Sequence, residues 1–263
     1  MGKPSHLKKN LPKVSCLTVT ANRRNLIRRA VRCFQNQSYP NKELVVIDDG
    51  EEDLEEVLQI LPSGDLNYIK LTSQPGNTLG KLRNRSLEEA TGTFLAQWDD
   101  DDWYHPERLS IQVDTLLNGY DACCLSGSLM HLNEAPYKHH PYIGYLPAGI
   151  PGSIMHRRNK DIRYPHTRRA EDTAYLKKWM NERYCQLPEH LSYLCIRCYH
   201  GSNTWGKEHF LRRIRNNPKD ALLYVWHKMV KDDLFSHPKF QLSAQTQQAF
   251  QQFINDSRAI GLL

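Results

Sequence analysis

The stretch TFLAQWDDDDW, residues 93–103, places four consecutive aspartates directly after a short apolar run. The apolar run predicts a buried strand, and four adjacent carboxylates are costly to bury without a cation. In an extended segment, residues i and i+2 face the same side, so Asp99 and Asp101 can converge on one metal-bound ligand. Hard oxygen ligands of this kind suit Mg²⁺ or Mn²⁺ held jointly with a diphosphate. The alternative is a solvated acidic turn that caps the next helix, which the strand-end position and the flanking Trp98 and Trp103 disfavour.

Upstream of the aspartates, strand-like and helix-like patterns alternate. Such alternation implies βαβ units and a mostly parallel sheet. Open α/β sheets bind ligands beyond the carboxyl ends of their strands, and Thr20, Asn22, Asp48 and the aspartates follow those ends. The first half therefore predicts a nucleotide-type crevice. The apolar spacing predicts strands over 14–20, 43–47, 66–71 and 93–98, and helices over 23–37 (capped by Asn22), 51–61 and 79–90.

The second half of the chain is less regular. Residues 134–152 hold four Pro and three Gly and predict a long loop that could cover a site. No internal repeat and no linker divides the sequence into two independent domains. The pattern predicts helices over 106–117 and 171–180, strands over 121–125, 128–132, 152–156 and 191–199, and helical structure from Lys207 onward.

Composition narrows the class of protein. The chain has 263 residues, and 35 Lys and Arg against 29 Asp and Glu give a formal net charge of +6. No window of 18 apolar residues occurs and the first residues lack an apolar signal region, so we expect a cytoplasmic protein without a membrane span. Seven cysteines without a secretory signal predict reduced thiols. The positive net charge fits a protein that binds a phosphate-bearing ligand, a nucleic acid or an anionic membrane surface.

Six motifs in order resemble family 2 glycosyltransferases, and the resemblance covers residues 13–205. It implies a GT-A fold, that is, an α/β fold with a mostly parallel central sheet flanked by helices. It also implies an enzyme of the hexosyltransferase class with a nucleotide-sugar donor, a Mn²⁺ or Mg²⁺ cofactor and inversion at the anomeric carbon. The motifs are the first strand and turn 14–23, the segments 36–40 and 43–50, 80–84, 94–109, the pair Glu171-Asp172, and His200-x-x-Asn203.

The resemblance also implies donor-side roles for individual residues. Asp48 would contact the nucleobase and Arg83 the base or diphosphate, which together favour a UDP-sugar, although Ala21 stands where the family usually has a Tyr. Asp101 would bind the metal, with Asp99 as a second candidate ligand. The full set expected to bind the nucleotide sugar is Thr20, Asn22, Asp48, Arg83, Asp99 and Asp100.

Two further residues belong to the reacting end of the predicted site. Asp172 would be the general base, because an acceptor hydroxyl is a poor nucleophile until a carboxylate takes its proton. For an isolated acidic pair at a helix start, complementing the helix dipole would be the simpler explanation. His200 is either a hydrogen-bonded histidine at a strand end or a direct contact to the diphosphate or metal.

The same motifs predict the organisation of the chain. We expect an N-terminal extension over 1–12, a glycosyltransferase domain over 13–205 with a nucleotide-binding half (13–105) and an acceptor half (106–205), and a helical extension over 206–263 packed on it. The acceptor would be a saccharide or a lipid-linked saccharide. Apolar residues and lysines between Leu222 and Lys231 permit attachment to the cytoplasmic face of a membrane, and core packing explains them equally well.

Two other functions compete with this interpretation. A nucleotidyltransferase also uses carboxylates and Mg²⁺ on an α/β sheet, but it needs a Gly-rich loop near the first strand, and residues 22–25 contain no glycine. A non-catalytic protein of the same fold could use paired arginines to bind nucleic acid or lipid head groups. The aspartates at the metal and base positions argue against it, so nucleic acid is disfavoured as a partner.

Overall fold

The computed structural model describes residues 11–201, 203 and 205–263. The predicted N-terminal extension over 1–12 lies outside these residues except for Leu11 and Pro12. The strands are β1 (Val14–Thr20), β2 (Lys42–Asp48), β3 (Leu66–Lys70), β4 (Phe94–Gln97), β5 (Trp103–Tyr104), β6 (Ala122–Leu125), β7 (Gly127–Leu132), β8 (Tyr142–Tyr145), β9 (Met155–Arg157), β10 (Tyr184–Leu187) and β11 (Cys195–Tyr199). The α-helices are α1 (Arg24–Gln35), α2 (Glu55–Leu58), α3 (Leu79–Glu89), α4 (Arg108–Leu117), α5 (Glu171–Trp179), α6 (Lys207–Leu211), α7 (Pro218–Val225) and α8 (Ala244–Ala259).

Seven strands form one mostly parallel sheet in the order β10-β6-β9-β4-β1-β2-β3. Only β9 runs antiparallel to its neighbours, β4 and β6. A strand covered on both faces is apolar along its whole length, and β2 shows this: Leu44 and Val46 face one hydrophobic cluster, whereas Val45 and Ile47 face another. Helix α1 covers the first face and α3 the second. The predicted α/β sheet flanked by helices is confirmed.

Asn22 does not cap α1 as predicted. Its backbone has a φ of 53°, and its side-chain Oδ1 accepts hydrogen bonds from the backbone N–H groups of Glu51 (2.7 Å) and Glu52 (3.2 Å). These bonds hold the chain after β2 in a turn, and the Asp53 carboxylate extends it by accepting from the Glu55 N–H. The helix predicted over 51–61 therefore shrinks to α2.

A second sheet, in the order β5-β11-β7-β8, was not predicted. Strand β8 lies inside the segment expected to be a loop, and β5 and β10 were not predicted either. Strand β11 begins at Cys195 rather than Leu191, since Glu189–Leu194 forms a 3₁₀ helix. Short strands of this kind carry little apolar periodicity of their own.

Helix α8 packs against the aspartate segment. The Phe253 ring lies 6.3 Å from the Trp103 ring, and the Asp256 carboxylate accepts from the Trp103 indole N–H at 3.0 Å while pairing with Arg32 at 3.2 Å. The C-terminal segment thereby supports the turn that carries the aspartates. The domain boundary expected at residue 205 stays a prediction. Among the described residues, no helix is both long and apolar enough to cross a membrane.

Candidate active site

A polar cleft opens at the carboxyl ends of β1 and β4. Helix α3, the N-terminus of α5 and the end of β11 complete its walls. The crevice predicted at the strand ends is therefore present, and both acidic and basic side chains line it. Its charged lining residues are Arg23, Arg83, Asp99, Asp100, Asp101, Arg168, Arg169, Glu171, Asp172 and Arg197.

The first two aspartates of the run have different partners. The Asp99 Oδ1 accepts from the Arg83 guanidinium at 3.1 Å and from the Gln97 amide at 2.7 Å. The Asp100 carboxylate accepts from the Thr20 hydroxyl at 2.6 Å and from Arg23 at 3.2 Å. Burial raises the pKa of both carboxyls, that of Asp100 to about 6, with the Asp101 charge adding to it.

The last two aspartates have different surroundings: Asp101 lines the cleft, whereas Asp102 is buried behind it. The Asp101 Oδ2 lies 3.2 Å from the Asn203 amide nitrogen, 3.5 Å from the His200 Nε2 and 3.6 Å from Arg23. Burial opposes its ionisation, but the hydrogen bond from His200 and the Arg23 charge hold the pKa of Asp101 below its ordinary value. Asp102 is buried and accepts from the Cys198 N–H at 3.2 Å. Burial and the neighbouring Asp101 charge raise its pKa well above the ordinary value.

Arg83 connects Asp99, on the aspartate side of the cleft, to helix α5. Its Nε donates to Glu171 at 3.1 Å, while its Nη2 donates to Asp99 at the same distance. Glu171 is buried, and burial raises its pKa against the Arg83 charge. The Arg83 Nη1 is buried and has no hydrogen-bond partner within the described part of the chain, so a polar ligand atom in the cleft would complete its donor set.

Asp172 lies in the first turn of α5. Its side chain is half-buried and lines the cleft, and its Oδ1 accepts from the Thr173 N–H at 2.6 Å. The structure thus brings Asp172, Arg83, Asp99, Asp100 and Asp101 into one cleft. The Arg83 side chain, from α3, links Asp99 after β4 to Glu171 at the start of α5, although the three residues are far apart in sequence.

Three other residues predicted to bind the donor do not line this cleft. Asp48 is fully buried, and its carboxylate accepts from the Tyr68 hydroxyl at 2.9 Å and pairs with Lys70 at 2.8 Å. Thr20 is buried behind Asp100, and the Asn22 side chain holds the turn after β2. Each therefore has a role in supporting the strand ends, whereas its contact with a nucleotide stays a prediction.

Four arginines that line the cleft, Arg23, Arg168, Arg169 and Arg197, were not among the predicted site residues. Arg23 faces Asp100 and Asp101, and Arg197 lies 3.8 Å from Asp102 while lining the cleft. The sequence carried a signal for Arg197, because it is a lone charge inside the apolar run of β11. The Arg169 guanidinium lies 5.8 Å from the Trp205 ring at the cleft edge.

The oxygen-rich end of the cleft has donors suited to a hard divalent cation. No group of three or more His, Cys, Asp or Glu ligands occurs within the described residues, so the protein alone offers Asp101 with His200 beside it. Cys195 and Cys198 are buried and free. The residues present fit a cation that takes its remaining ligands from a bound substrate.

Comparisons with known structures agree with the fold. The fold is similar to that of S. aureus TarS 1–349 in complex with UDP (TM-score 0.58, 18% identity, 94% of this chain and 80% of that one). It is also similar to the mannosyltransferase PcManGT of Pyrobaculum calidifontis in complex with GDP-Man and Mn²⁺ (TM-score 0.57, 17% identity, 96% and 75%).

Sequence comparison gives the family. A GalNAc(5)-diNAcBac-PP-undecaprenol beta-1,3-glucosyltransferase of Campylobacter jejuni is 33% identical over 41% of this chain and 34% of its own length. Across three curated relatives, that one included, the matched segments span only 28 to 37% of the relative's length. The sequence model described as Glycosyl transferase family 2 matches residues 15–215. Because this match spans most of the chain, the protein belongs to glycosyl transferase family 2.

Proposed function

We propose that this protein is an inverting glycosyltransferase that moves a sugar from a UDP-sugar to an acceptor hydroxyl with the help of a divalent cation. One observation carries the proposal: Asp101, kept ionised beside His200, and Asp172, half-exposed at the start of α5, line the same cleft. The first supplies a ligand for a cation on a diphosphate. The second supplies an acceptor for the hydroxyl proton.

The donor end of the cleft would hold the nucleotide sugar through Asp101, Asp99 and Asp100. Asp101, with His200 and Asp99 as the further candidates, would hold Mn²⁺ or Mg²⁺. When bound, such an ion neutralises negative charge on the diphosphate leaving group. Arg197 lines the same cleft and adds fixed positive charge. The UDP bound to TarS and the GDP-Man and Mn²⁺ bound to PcManGT support this arrangement.

Other residues on the side of the nucleotide sugar would contact it or hold the strand ends in place. The unpartnered Nη1 of Arg83 would donate to the donor sugar or its diphosphate. Asp48 would contact the nucleobase, and Thr20 and Asn22 would hold the strand ends from which Asp100 and Asp48 project. The Asp48 contact follows from the motifs, which also predict that Thr20 and Asn22 bind the nucleotide sugar, whereas the supporting roles of Thr20 and Asn22 follow from their hydrogen bonds.

The acceptor end is organised around Asp172. Its carboxylate would take the hydroxyl proton as the acceptor oxygen attacks the anomeric carbon. The bond from that carbon to the diphosphate breaks as the new one forms, so the configuration inverts. Glu171 and Arg83 would keep α5 in register with the donor wall through their 3.1 Å ion pair.

The acceptor class is a saccharide, including a lipid-linked saccharide, in cell-surface glycan synthesis at the cytoplasmic face of a membrane. The Campylobacter jejuni relative supports this proposal through the undecaprenol in its name. The basic chain, with its net charge of +6, suits such anionic carriers.

The test is donor hydrolysis and transfer across a panel of nucleotide sugars, with Mn²⁺, Mg²⁺ or EDTA. We expect metal-dependent release of a nucleoside diphosphate from one donor, and a loss of about 10²–10⁴-fold in turnover for Asp172→Asn with donor binding retained. Asp161→Asn, an exposed carboxylate outside the cleft, is the matched control. Full activity of Asp172→Asn would remove the proposed base. Release of pyrophosphate would instead identify a nucleotidyltransferase, and absence of donor binding a non-catalytic protein.

A further inference from the structure

An exposed apolar ridge runs along one face of α7 and the π-helical turn Trp226–Val230 that continues it. The ridge residues are spaced i, i+3, i+4, i+7 and i+8, which places them on one side of a helix. Each is more than half exposed: Leu222 (73%), Val225 (55%), Trp226 (52%), Met229 (73%) and Val230 (61%). Contiguous exposed apolar surface on a soluble domain marks an interaction site.

The inner face of the same helix combines polar contacts with the half-buried Tyr224 ring, which packs against a hydrophobic cluster that contains Phe210 and Ile214. His227 is buried, with its Nδ1 2.7 Å from the Ser236 hydroxyl, and Asp220 pairs with Lys239 at 2.7 Å. These contacts fix the helix on the protein, while the five residues of the apolar ridge point outward. Because the ridge residues are themselves exposed, packing among the described residues does not account for their spacing.

Positive charge lies beside the apolar ridge. Lys219, Lys228 and Lys231 are exposed, and none of them pairs with a carboxylate within the described residues. From Lys207 to Leu263 the chain holds nine Lys and Arg against five Asp and Glu. One of those acids, Asp220, is already engaged by Lys239. The ridge thus combines apolar side chains with unpaired lysines.

We propose that the apolar ridge docks the protein on a bilayer surface rich in anionic phospholipid. The helix would lie in the plane of the interface, with Leu222 and Met229 among the acyl chains and the Trp226 ring at headgroup level. Lys219, Lys228 and Lys231 would meet the anionic headgroups. A second copy of the chain is a poorer occupant, since it would bring the same basic surface to the contact. The inference deepens the proposed location at a membrane face, but its experiment measures binding alone, so it can fail or hold whatever the transferase assay shows.

The experiment is co-sedimentation of the full chain with vesicles of equal parts phosphatidylglycerol and phosphatidylcholine, and with phosphatidylcholine alone. We expect binding to the anionic vesicles that weakens with salt. The double variant Leu222→Glu/Met229→Glu should lose at least about tenfold in binding, because it removes apolar insertion and adds repulsion. Each Lys→Gln change at 219, 228 or 231 should cost about fivefold, the equivalent of ~1 kcal/mol per lysine.

The matched control is Ile60→Glu/Leu117→Glu, which alters two apolar residues of similar exposure, 58% and 53%, away from the ridge. It should bind as the wild type does. Absence of wild-type binding to anionic vesicles, or equal loss in the control, would overturn the proposal. Sedimentation velocity tests the other occupant, a second copy of the chain. A concentration-dependent dimer that Leu222→Glu/Met229→Glu abolishes, in a protein that does not bind vesicles, would assign the ridge to that second copy.

Discussion

His156 gives the chain a stability that depends on pH. The residue lies in β9 with 2% of its surface exposed, and its ring stacks on Trp179 at 4.4 Å. Its Nδ1–H donates to the Arg157 carbonyl at 2.8 Å and its Nε2 accepts from the Tyr175 hydroxyl at 2.9 Å. Both ring nitrogens are therefore used by the neutral form. Burial, followed by the nearby Arg158 charge, lowers the pKa of His156 from 6.5 to about 4.

The sign of the effect follows from this shift. The pKa is lower in the folded chain, so between pH 6.5 and 4 the unfolded chain binds the proton more readily, and stability falls as pH falls. With these two values, the contribution of His156 to the free energy of unfolding drops by about 2 kcal/mol between pH 7.5 and pH 5. Below pH 4 the loss reaches its limit of about 3 kcal/mol.

The assay is urea denaturation at pH 7.5 and pH 5 for the wild type, His156→Phe and His156→Gln. His156→Phe keeps a ring on Trp179, whereas His156→Gln keeps polar atoms. Both should show a pH-dependent loss smaller than that of the wild type by about 2 kcal/mol, whatever their absolute stability. His166→Gln, at an exposed histidine, is the control and should behave as the wild type. An unchanged pH-dependent loss in both His156 variants would refute the reasoning.

Three further substitutions test the site and its walls. Gly80→Ala should destabilise the fold by about 1–3 kcal/mol, measured by thermal unfolding, because its Cβ would overlap the Pro165 carbonyl oxygen. Arg83→Leu should cost about 3–5 kcal/mol in urea denaturation, since it leaves the buried Glu171 carboxylate and the partly buried Asp99 carboxylate without their cation. Ala21→Tyr, at an exposed position, should tighten UDP-sugar binding by about 0.5–1.5 kcal/mol in calorimetry, and unchanged affinity would argue against nucleobase contact there.

The elements that the sequence predicted well are those whose pattern is set within one segment. Strands β1, β2 and β4 are short runs rich in apolar and β-branched residues that lead into polar ends, and α1 and α3 carry apolar residues at helical spacing. The missed strands are β5, β8 and β10, which are short and are held as strands by pairing with β11, β7 and β6. The helix expected over 51–61 failed for the same reason, because the Asn22 side chain, from a different element, fixes its first turn.

The position of the cleft was predictable, but the direction of each side chain was not. Strand-end residues converge because parallel strands end on one edge of a sheet, and this placed Asp99 and Asp101 correctly at the cleft. The alternation of side chains along an extended segment predicted that Asp99 and Asp101 face the same side. The segment instead bends after β4, and each carboxylate is oriented by the hydrogen-bond donors nearest to it. Arg23 and Arg197 reach the aspartates from other elements, so no local pattern could pair them.

The bend has an electrostatic consequence for the proposed metal ligand. Four chemically identical neighbours enter different surroundings, and burial raises the pKa of Asp99, Asp100 and Asp102. Asp101 alone among the four has its pKa lowered, with the His200 hydrogen bond and Arg23 opposing its burial. A carboxylate that stays ionised in a cleft is the one best able to take a divalent cation. The assignment of Asp101 as the metal ligand stays a prediction, and Asp101 is the first residue to replace by Asn in a metal-dependence assay.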